Sequence, residues 1–109
     1  MAKKLIGIDL GGTTVKFAFI DTKGNVLTKW RIPTNISEHG SHIVPDMIKS
    51  ISYQMRKDDY NASDFYGIGM GTPGAVNREK GTVVGAYNLN WDIVQPVGAT
   101  ISANLNLPI

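Results

Sequence analysis

The sequence predicts an α/β fold in which a mixed β-sheet packs against helices. Three apolar segments near the start are joined by short polar turns, which is typical of an antiparallel meander. A segment with helical spacing of its apolar residues follows, and another short apolar segment comes after it. A strand that is reached through a helix normally runs parallel to an earlier strand, so we expect both strand directions in one sheet.

The meander and its helix follow from local patterns. In the second strand Val15, Phe17 and Phe19 alternate with other residues and therefore share one face. The predicted helix carries apolar residues every four positions, and Pro45 falls in its first turn, where a missing N–H costs least. The predicted strands cover residues 4–10, 15–20 and 25–34, and the helix covers residues 41–56 with Ile43, Met47, Ile51 and Met55 on its apolar face.

The second half of the chain is predicted to hold shorter elements. Residues 65–70 form the fourth strand, residues 71–74 a loop, residues 78–81 a turn and residues 82–87 a short strand. A last helix runs from Pro96 to about residue 105 and places Val97, Ile101 and Leu105 on one face. Residues 107–109 are expected to open a further strand.

Composition limits the class of protein. The 109 residues suit one domain, and 42% hydrophobic with 18% charged residues predicts a packed core. A net charge of +2 without a basic stripe gives no sign of nucleic-acid binding. The absence of cysteine excludes disulfides and thiolate metal sites within these residues. The first apolar run is short and interrupted by Asp9, so we expect no signal peptide, no membrane span and a cytoplasmic location.

The string "GIDLGGTTVK" at residues 7–16 places a carboxylate, two glycines and two hydroxyls between two strands. Glycines let the backbone approach an anion closely, and adjacent N–H groups can bind phosphate oxygens. Asp9 would repel a phosphate unless a divalent cation lay between them, so Mg²⁺ held through water is expected. The alternative is a tight hairpin whose glycines serve only positive φ. We favour the phosphate site, because a carboxylate taken as buried needs a partner.

A second glycine-rich string, "GMGTPG" at residues 69–74, spells G-x-G-x-x-G after a strand. A dinucleotide fingerprint needs a helix to begin at once, but Pro73 and the turn-rich "AVNREKG" follow. A dinucleotide site is therefore not predicted. No G-x-x-x-x-G-K-[ST] string occurs either, which excludes a P-loop.

The first string resembles the first phosphate motif of the sugar kinase, actin and heat-shock ATPase superfamily. The later string "GIGMGTPGAVNREKGTVVGAYNLNW" resembles the ROK family (repressors, open reading frames and kinases), and within it the bacterial glucokinases. The resemblance covers residues 6–109. It implies an actin-like ATPase (ribonuclease H-like) N-terminal domain with sheet order 3-2-1-4-5, truncated before its fifth strand. Residues 1–109 would then be an incomplete N-terminal lobe.

The resemblance also implies roles for individual residues. The nucleotide phosphates and magnesium would be held by Asp9, Gly11, Gly12, Thr13 and Thr14. A wall of the sugar pocket would be formed by Gly71, Thr72, Gly74 and Ala75, with Asn88 of "NLNW" hydrogen-bonding the sugar or orienting that wall. Asn88 could equally be a turn residue that caps its own backbone. Trp91 is interpreted as a packing residue, Lys16 as a strand residue, and His39 and His42 as surface groups.

The implied activity is ATP-dependent phosphorylation of glucose at its 6-hydroxyl, with ATP and Mg²⁺ as cofactors. Fructose and N-acetylmannosamine are alternative substrates, and a sugar-sensing ROK repressor or an actin-like assembly protein are alternative classes. The family's catalytic aspartate and its zinc motif are expected after Ile109, and Asp92 is not taken as the base. The 109 residues alone are therefore expected to be inactive, and the whole protein is expected to form a homodimer.

Overall fold

The computed structural model describes residues 3–91 and 93–109. Its main sheet has the strand order β3-β2-β1-β4. The first three strands pair antiparallel, and β4 pairs parallel with β1. The predicted mixed sheet and the predicted order of its first four strands are therefore confirmed. The strands are β1 (Lys4–Leu10), β2 (Thr14–Ile20), β3 (Val26–Pro33) and β4 (Phe65–Gly71).

Helices cover one face of this sheet. The short α1 (Ser37–Gly40) precedes the long α2 (Ile43–Lys57), and α3 (Val97–Leu105) packs beside α2. In the described part of the chain, none of the helices has the length and apolar character that a membrane span requires. The two predicted helices are confirmed, including the apolar faces predicted for both.

The core lies between the sheet and these helices. Alternate residues of β1 and β2 point into it, as the period of two predicts, and α2 contributes one residue per turn. The side chains from these three elements that are at most 8% exposed are Ile6, Ile8, Leu10, Val15, Phe17, Phe19, Ile43, Met47, Ile51 and Met55.

A small hairpin follows the main sheet and was predicted only in part. It pairs β5 (Ala75–Asn77) with β6 (Thr82–Val84), and β5 was not predicted because all three of its residues are exposed. The strand predicted over residues 82–87 is wrong beyond Val84. Gly85 has a φ of +81°, which ends the strand, and Tyr87–Leu89 forms a 3₁₀ turn.

The last residues run beside β4. The Ile68 N–H donates to the Pro108 carbonyl at 2.8 Å, although residues 107–109 do not form a strand. Gly67 makes room for this segment, since a Cβ there would lie 2.9 Å from the Pro108 carbonyl oxygen. This bond lies where the predicted further strand would begin.

Candidate functional site

The two glycine-rich strings meet at one edge of the sheet. Since β1 and β4 are parallel, their carboxyl ends lie side by side, with Asp9 in register with Gly71. Ligand sites in sheets of this kind form where parallel strands end. The topology therefore brings together two segments that are distant in sequence.

In the turn after β1, residues 11–14, three of the four carbonyl groups accept hydrogen bonds from within the protein. The Gly11 N–H donates to the Thr14 carbonyl at 3.1 Å. Thr34 donates twice, from its N–H to the Thr13 carbonyl at 2.9 Å and from its hydroxyl to the Gly11 carbonyl at 2.7 Å. Among the described residues no backbone carbonyl accepts the N–H of Gly12 or Thr13. The turn therefore presents free donors, as an anion site requires.

The glycines of this turn lie where there is little space for a side chain. Neither Gly11 nor Gly12 has a positive φ, so the alternative in which they serve only positive φ is wrong. A Cβ on Gly11 would lie 3.0 Å from the Thr14 carbonyl oxygen. One on Gly12 would lie 3.0 Å from the amide nitrogen of Asn88. These glycines allow a close approach of backbone to neighbouring groups.

The Asp9 side chain lies on the opposite face of β1 from the core. It is exposed, whereas Ile8 and Leu10 are buried, so the expectation of a buried carboxylate is wrong. The reason is the alternation of a strand, which turns every second residue away from the helices. Lys16 is opposite Asp9 in the register and is also exposed, in agreement with its interpretation as a strand residue.

The donor set around Asp9 fits Mg²⁺ held through water. Mg²⁺ is usually bound by one or two carboxylates together with waters and phosphate oxygens. The neighbouring Gly71 leaves open space, because a Cβ there would meet only the Asp9 carboxylate, at 3.9 Å. No group of three acidic or histidine side chains that could hold a metal occurs within residues 3–91 and 93–109. A cation here would take its other ligands from water and a nucleotide.

The second glycine-rich segment has two parts with different surroundings. Gly71 is exposed and faces open space, whereas Gly74 has a φ of +89° and is packed against the hairpin. A Cβ on Gly74 would lie 2.7 Å from the Val84 carbonyl oxygen. The Thr72 hydroxyl donates to the Pro73 carbonyl at 3.1 Å. Ala75, in β5, is exposed. The candidate wall therefore has an open part at Gly71 and a part that positions the hairpin at Gly74.

Asn88 lies beside the first string. It is exposed in the 3₁₀ turn, and its amide nitrogen lies next to Gly12. The following residues anchor this turn: the Asn90 amide donates to the Ile36 carbonyl at 2.7 Å and the Trp91 indole N–H donates to the Gly40 carbonyl at 3.0 Å. Trp91 is 1% exposed, so its interpretation as a packing residue is confirmed.

The remaining residues singled out in the sequence, and one that was not, lie outside the two strings. His39 is exposed and His42 is partly exposed, which confirms both as surface groups. Asp92 lies outside the described residues. Thr34, which holds the turn at residues 11–14, was missed by the sequence analysis. A meander places the end of β3 beside the start of β2, but the sequence does not indicate which groups bond across that pair.

Comparisons with known proteins show which family the chain resembles. The family model described as "ROK family" matches residues 5–109. A glucokinase from Halalkalibacterium halodurans is 36% identical over 86 residues, covering 79% of this chain and 26% of that protein. A xylose repressor from Caldicellulosiruptor bescii is 30% identical over 105 residues, covering 96% of this chain and 26% of that protein.

A solved structure shares the fold. The ROK family glucokinase from Streptomyces griseus, in complex with glucose and AMPPNP, has a TM-score of 0.76 at 24% identity, over 96% of this chain and 31% of that one. This chain thus spans about a quarter to a third of the length of these relatives. The family model matches nearly the whole chain, and on that ground the protein belongs to the ROK family.

Proposed function

We propose that this chain is the N-terminal lobe of an ATP-dependent ROK sugar kinase that transfers the γ-phosphoryl group to the 6-hydroxyl of glucose. The observation that carries the proposal is the turn at residues 11–14. Its carbonyls at Gly11, Thr13 and Thr14 accept hydrogen bonds, whereas no backbone carbonyl of the described residues accepts the N–H of Gly12 or Thr13. That turn lies at the same strand edge as Gly71 and beside Asn88. A donor-rich turn next to an open glycine segment suits a phosphate donor and a hydroxyl acceptor brought together.

The nucleotide would bind through its phosphates. The free N–H groups of Gly12 and Thr13 would donate to phosphate oxygens, and the hydroxyls of Thr13 and Thr14 would add donors. Because these donors are held by the sheet, they would need little rearrangement as charge moves during transfer. Asp9 would orient water molecules around Mg²⁺, and the metal would offset the phosphate charge when bound.

The sugar would lie against Gly71, Thr72, Gly74 and Ala75. The absence of a side chain at Gly71 lets a ring approach the backbone, whose N–H and C=O groups match hydroxyls. Asn88 could contact the sugar while touching the phosphate turn, because its amide is both donor and acceptor. Asn88 would then help to set the distance between the phosphate of the nucleotide and the hydroxyl of the sugar.

The catalytic base is proposed to lie outside residues 1–109, and the lobe alone is proposed to be inactive. A structural zinc site, a homodimer and a cytoplasmic location belong to the same proposal, because each is implied by the family resemblance. The choice of glucose rests on the similarity to glucokinases, since the residues that distinguish one hydroxyl's stereochemistry are expected elsewhere in the protein.

The test is sugar-dependent ADP release by the full-length protein, measured with glucose, fructose and N-acetylmannosamine in turn. We expect turnover with glucose and a loss of about 100-fold or more in kcat/KM in Asp9→Asn, which removes a charge beside the phosphates. Asp59→Asn is the matched control, since Asp59 is exposed with a φ of +60°, a conformation that Asn also adopts. Equal activity of both variants, or turnover by residues 1–109 alone, would contradict the assignment.

A sugar-sensing repressor is the second candidate, and the similarity to a xylose repressor favours it. The same assay separates the two classes. Binding of a sugar without ATP turnover by the full-length protein would support the sensor and exclude the kinase.

A further inference from the structure

We infer that Thr34 is a positioning residue for nucleotide binding, which rests on the proposed function. Thr34 follows β3 directly and is partly buried. Its N–H donates to the Thr13 carbonyl and its hydroxyl donates to the Gly11 carbonyl. The two bonds therefore hold the carbonyls of the residues on either side of Gly12.

These bonds decide which groups the turn offers to a ligand. Peptide N–H and C=O groups point in opposite directions, so a turn that binds an anion must direct its carbonyls elsewhere. Thr34 donates hydrogen bonds to the carbonyls of Gly11 and Thr13, and the Gly11 N–H donates to the Thr14 carbonyl. Without the Thr34 hydroxyl, the Gly11 carbonyl oxygen would be free to rotate toward the site, where it would repel a phosphate.

The strand β3 provides a matched control at its other end. The Thr28 hydroxyl donates to the Asp58 carboxylate at 2.8 Å, and Thr28 is also partly buried. Thr28→Val and Thr34→Val therefore each remove one threonine hydroxyl, the first within β3 and the second directly after it. Only the second removal affects the phosphate turn.

The experiment measures KM for ATP, KM for glucose and kcat in the full-length protein. For Thr34→Val we expect KM for ATP to rise about fivefold or more, as for a lost hydrogen bond, with KM for glucose unchanged within about twofold. Thr34→Ser keeps the hydroxyl and should restore wild-type values. Thr28→Val should leave both KM values unchanged while lowering the melting temperature.

A KM for ATP that is equal in Thr34→Val and Thr28→Val would overturn the inference, as would equal rises in the two KM values. If Thr34→Val does not fold, Thr34→Ala removes the hydroxyl without adding a methyl group and is judged by the same criteria. A wild-type protein that binds ATP without turning it over would refute the proposed function alone, and the comparison would then be made on the Kd for ATP. A wild-type protein that does not bind ATP would refute both.

Discussion

Gly24 and Gly74 have the same φ, +89°, in two very different regions of the molecule. Gly24 lies in the hairpin turn between β2 and β3, and a Cβ there would have no atom within 4 Å. At Gly74 a Cβ would collide with the Val84 carbonyl and would lie 3.2 Å from the Ala86 side chain. The first turn needs glycine only for its conformation, whereas the second needs it also for packing.

Gly12 shows a third reason for glycine. Its φ is not in the positive region, yet a Cβ there would lie 3.0 Å from the Asn88 amide. That neighbour is the end of a side chain and could move, unlike the backbone next to Gly74. Three glycines that look alike in the sequence therefore respond to three different constraints: conformation, packing of the hairpin, and contact within the candidate site.

The largest effect is expected when the comparison of Gly74 with Gly24 is tested directly. Gly24→Ala should lower the free energy of unfolding by about 1–2 kcal/mol, the cost of a left-handed conformation. Gly74→Ala should lower it by about 1–3 kcal/mol more, because alanine there also overlaps the hairpin backbone. Denaturant unfolding of both variants of the full-length protein measures this difference. Equal losses would show that the contact between Gly74 and the hairpin relaxes without cost.

An intermediate effect is expected at the contact between Gly12 and Asn88. Gly12→Ala should change stability little, because the amide can move, but should weaken ATP binding by about tenfold, or about 1.4 kcal/mol. Asn88→Ala removes the group that the new methyl would meet. In the double variant, we therefore expect the two losses to be less than additive, with a coupling energy of at least about 0.5 kcal/mol and at most the loss of about 1.4 kcal/mol caused by Gly12→Ala.

Isothermal titration with ATP measures the four affinities of this cycle. Additive losses would mean that the Gly12 methyl acts directly on the nucleotide, without Asn88. An unchanged ATP affinity in Gly12→Ala would mean that the contact between Gly12 and Asn88 does not affect nucleotide binding.

The smallest effect concerns the turn that holds Gly24. Hydrogen bonds from the Asn25 side chain, from the Asn25 backbone and from the Lys23 backbone lower the pKa of the Asp21 carboxyl below its ordinary value. A carboxylate with a depressed pKa contributes stability above its unfolded pKa, and this contribution is lost as pH falls through the folded value. The loss is therefore expected below about pH 4.

Acid titration of stability tests this expectation. The wild type should melt at a higher temperature than Asp21→Asn at pH 5, and the two melting temperatures should converge as the pH falls to 2. The difference should be small, because only one exposed interaction is lost. Asn25→Ala removes one donor to Asp21 and should reduce the acid dependence without abolishing it. A constant difference between wild type and Asp21→Asn across this range would mean that the charge of Asp21 does not stabilise the turn.

Most of the main sheet could be predicted because its signals are local. Each of the four strands has bounds within one residue of those predicted. The hairpin was harder to predict, because β5 is exposed along its length and has no alternating pattern. The position of the hairpin depends on Gly74 and on its contact with Ala86. Both residues lie outside β5, so no pattern within that strand reveals them.

The candidate site shows the same division. The residue types in the phosphate turn were evident from "GGTT", since bare backbone and hydroxyls together favour anions. The exposure of Asp9 could also have been read from the alternation of β1, but the carboxylate was assigned to the interior because apolar residues surround it in sequence. Thr34 was missed because its hydrogen-bond partners are more than 20 residues away.

By itself the sequence determined the periodic elements, the apolar faces of the helices and the chemical character of the two glycine-rich strings, because these depend on neighbouring residues. The tertiary structure alone decided that Asp9 comes beside Gly71 and that the Asn88 amide lies next to Gly12. It also decided that Thr34 bonds the carbonyls of Gly11 and Thr13. These relations arise from strand register and from how the chain returns to the sheet. A hydrogen bond or a close contact between distant segments exists only once the intervening chain has folded.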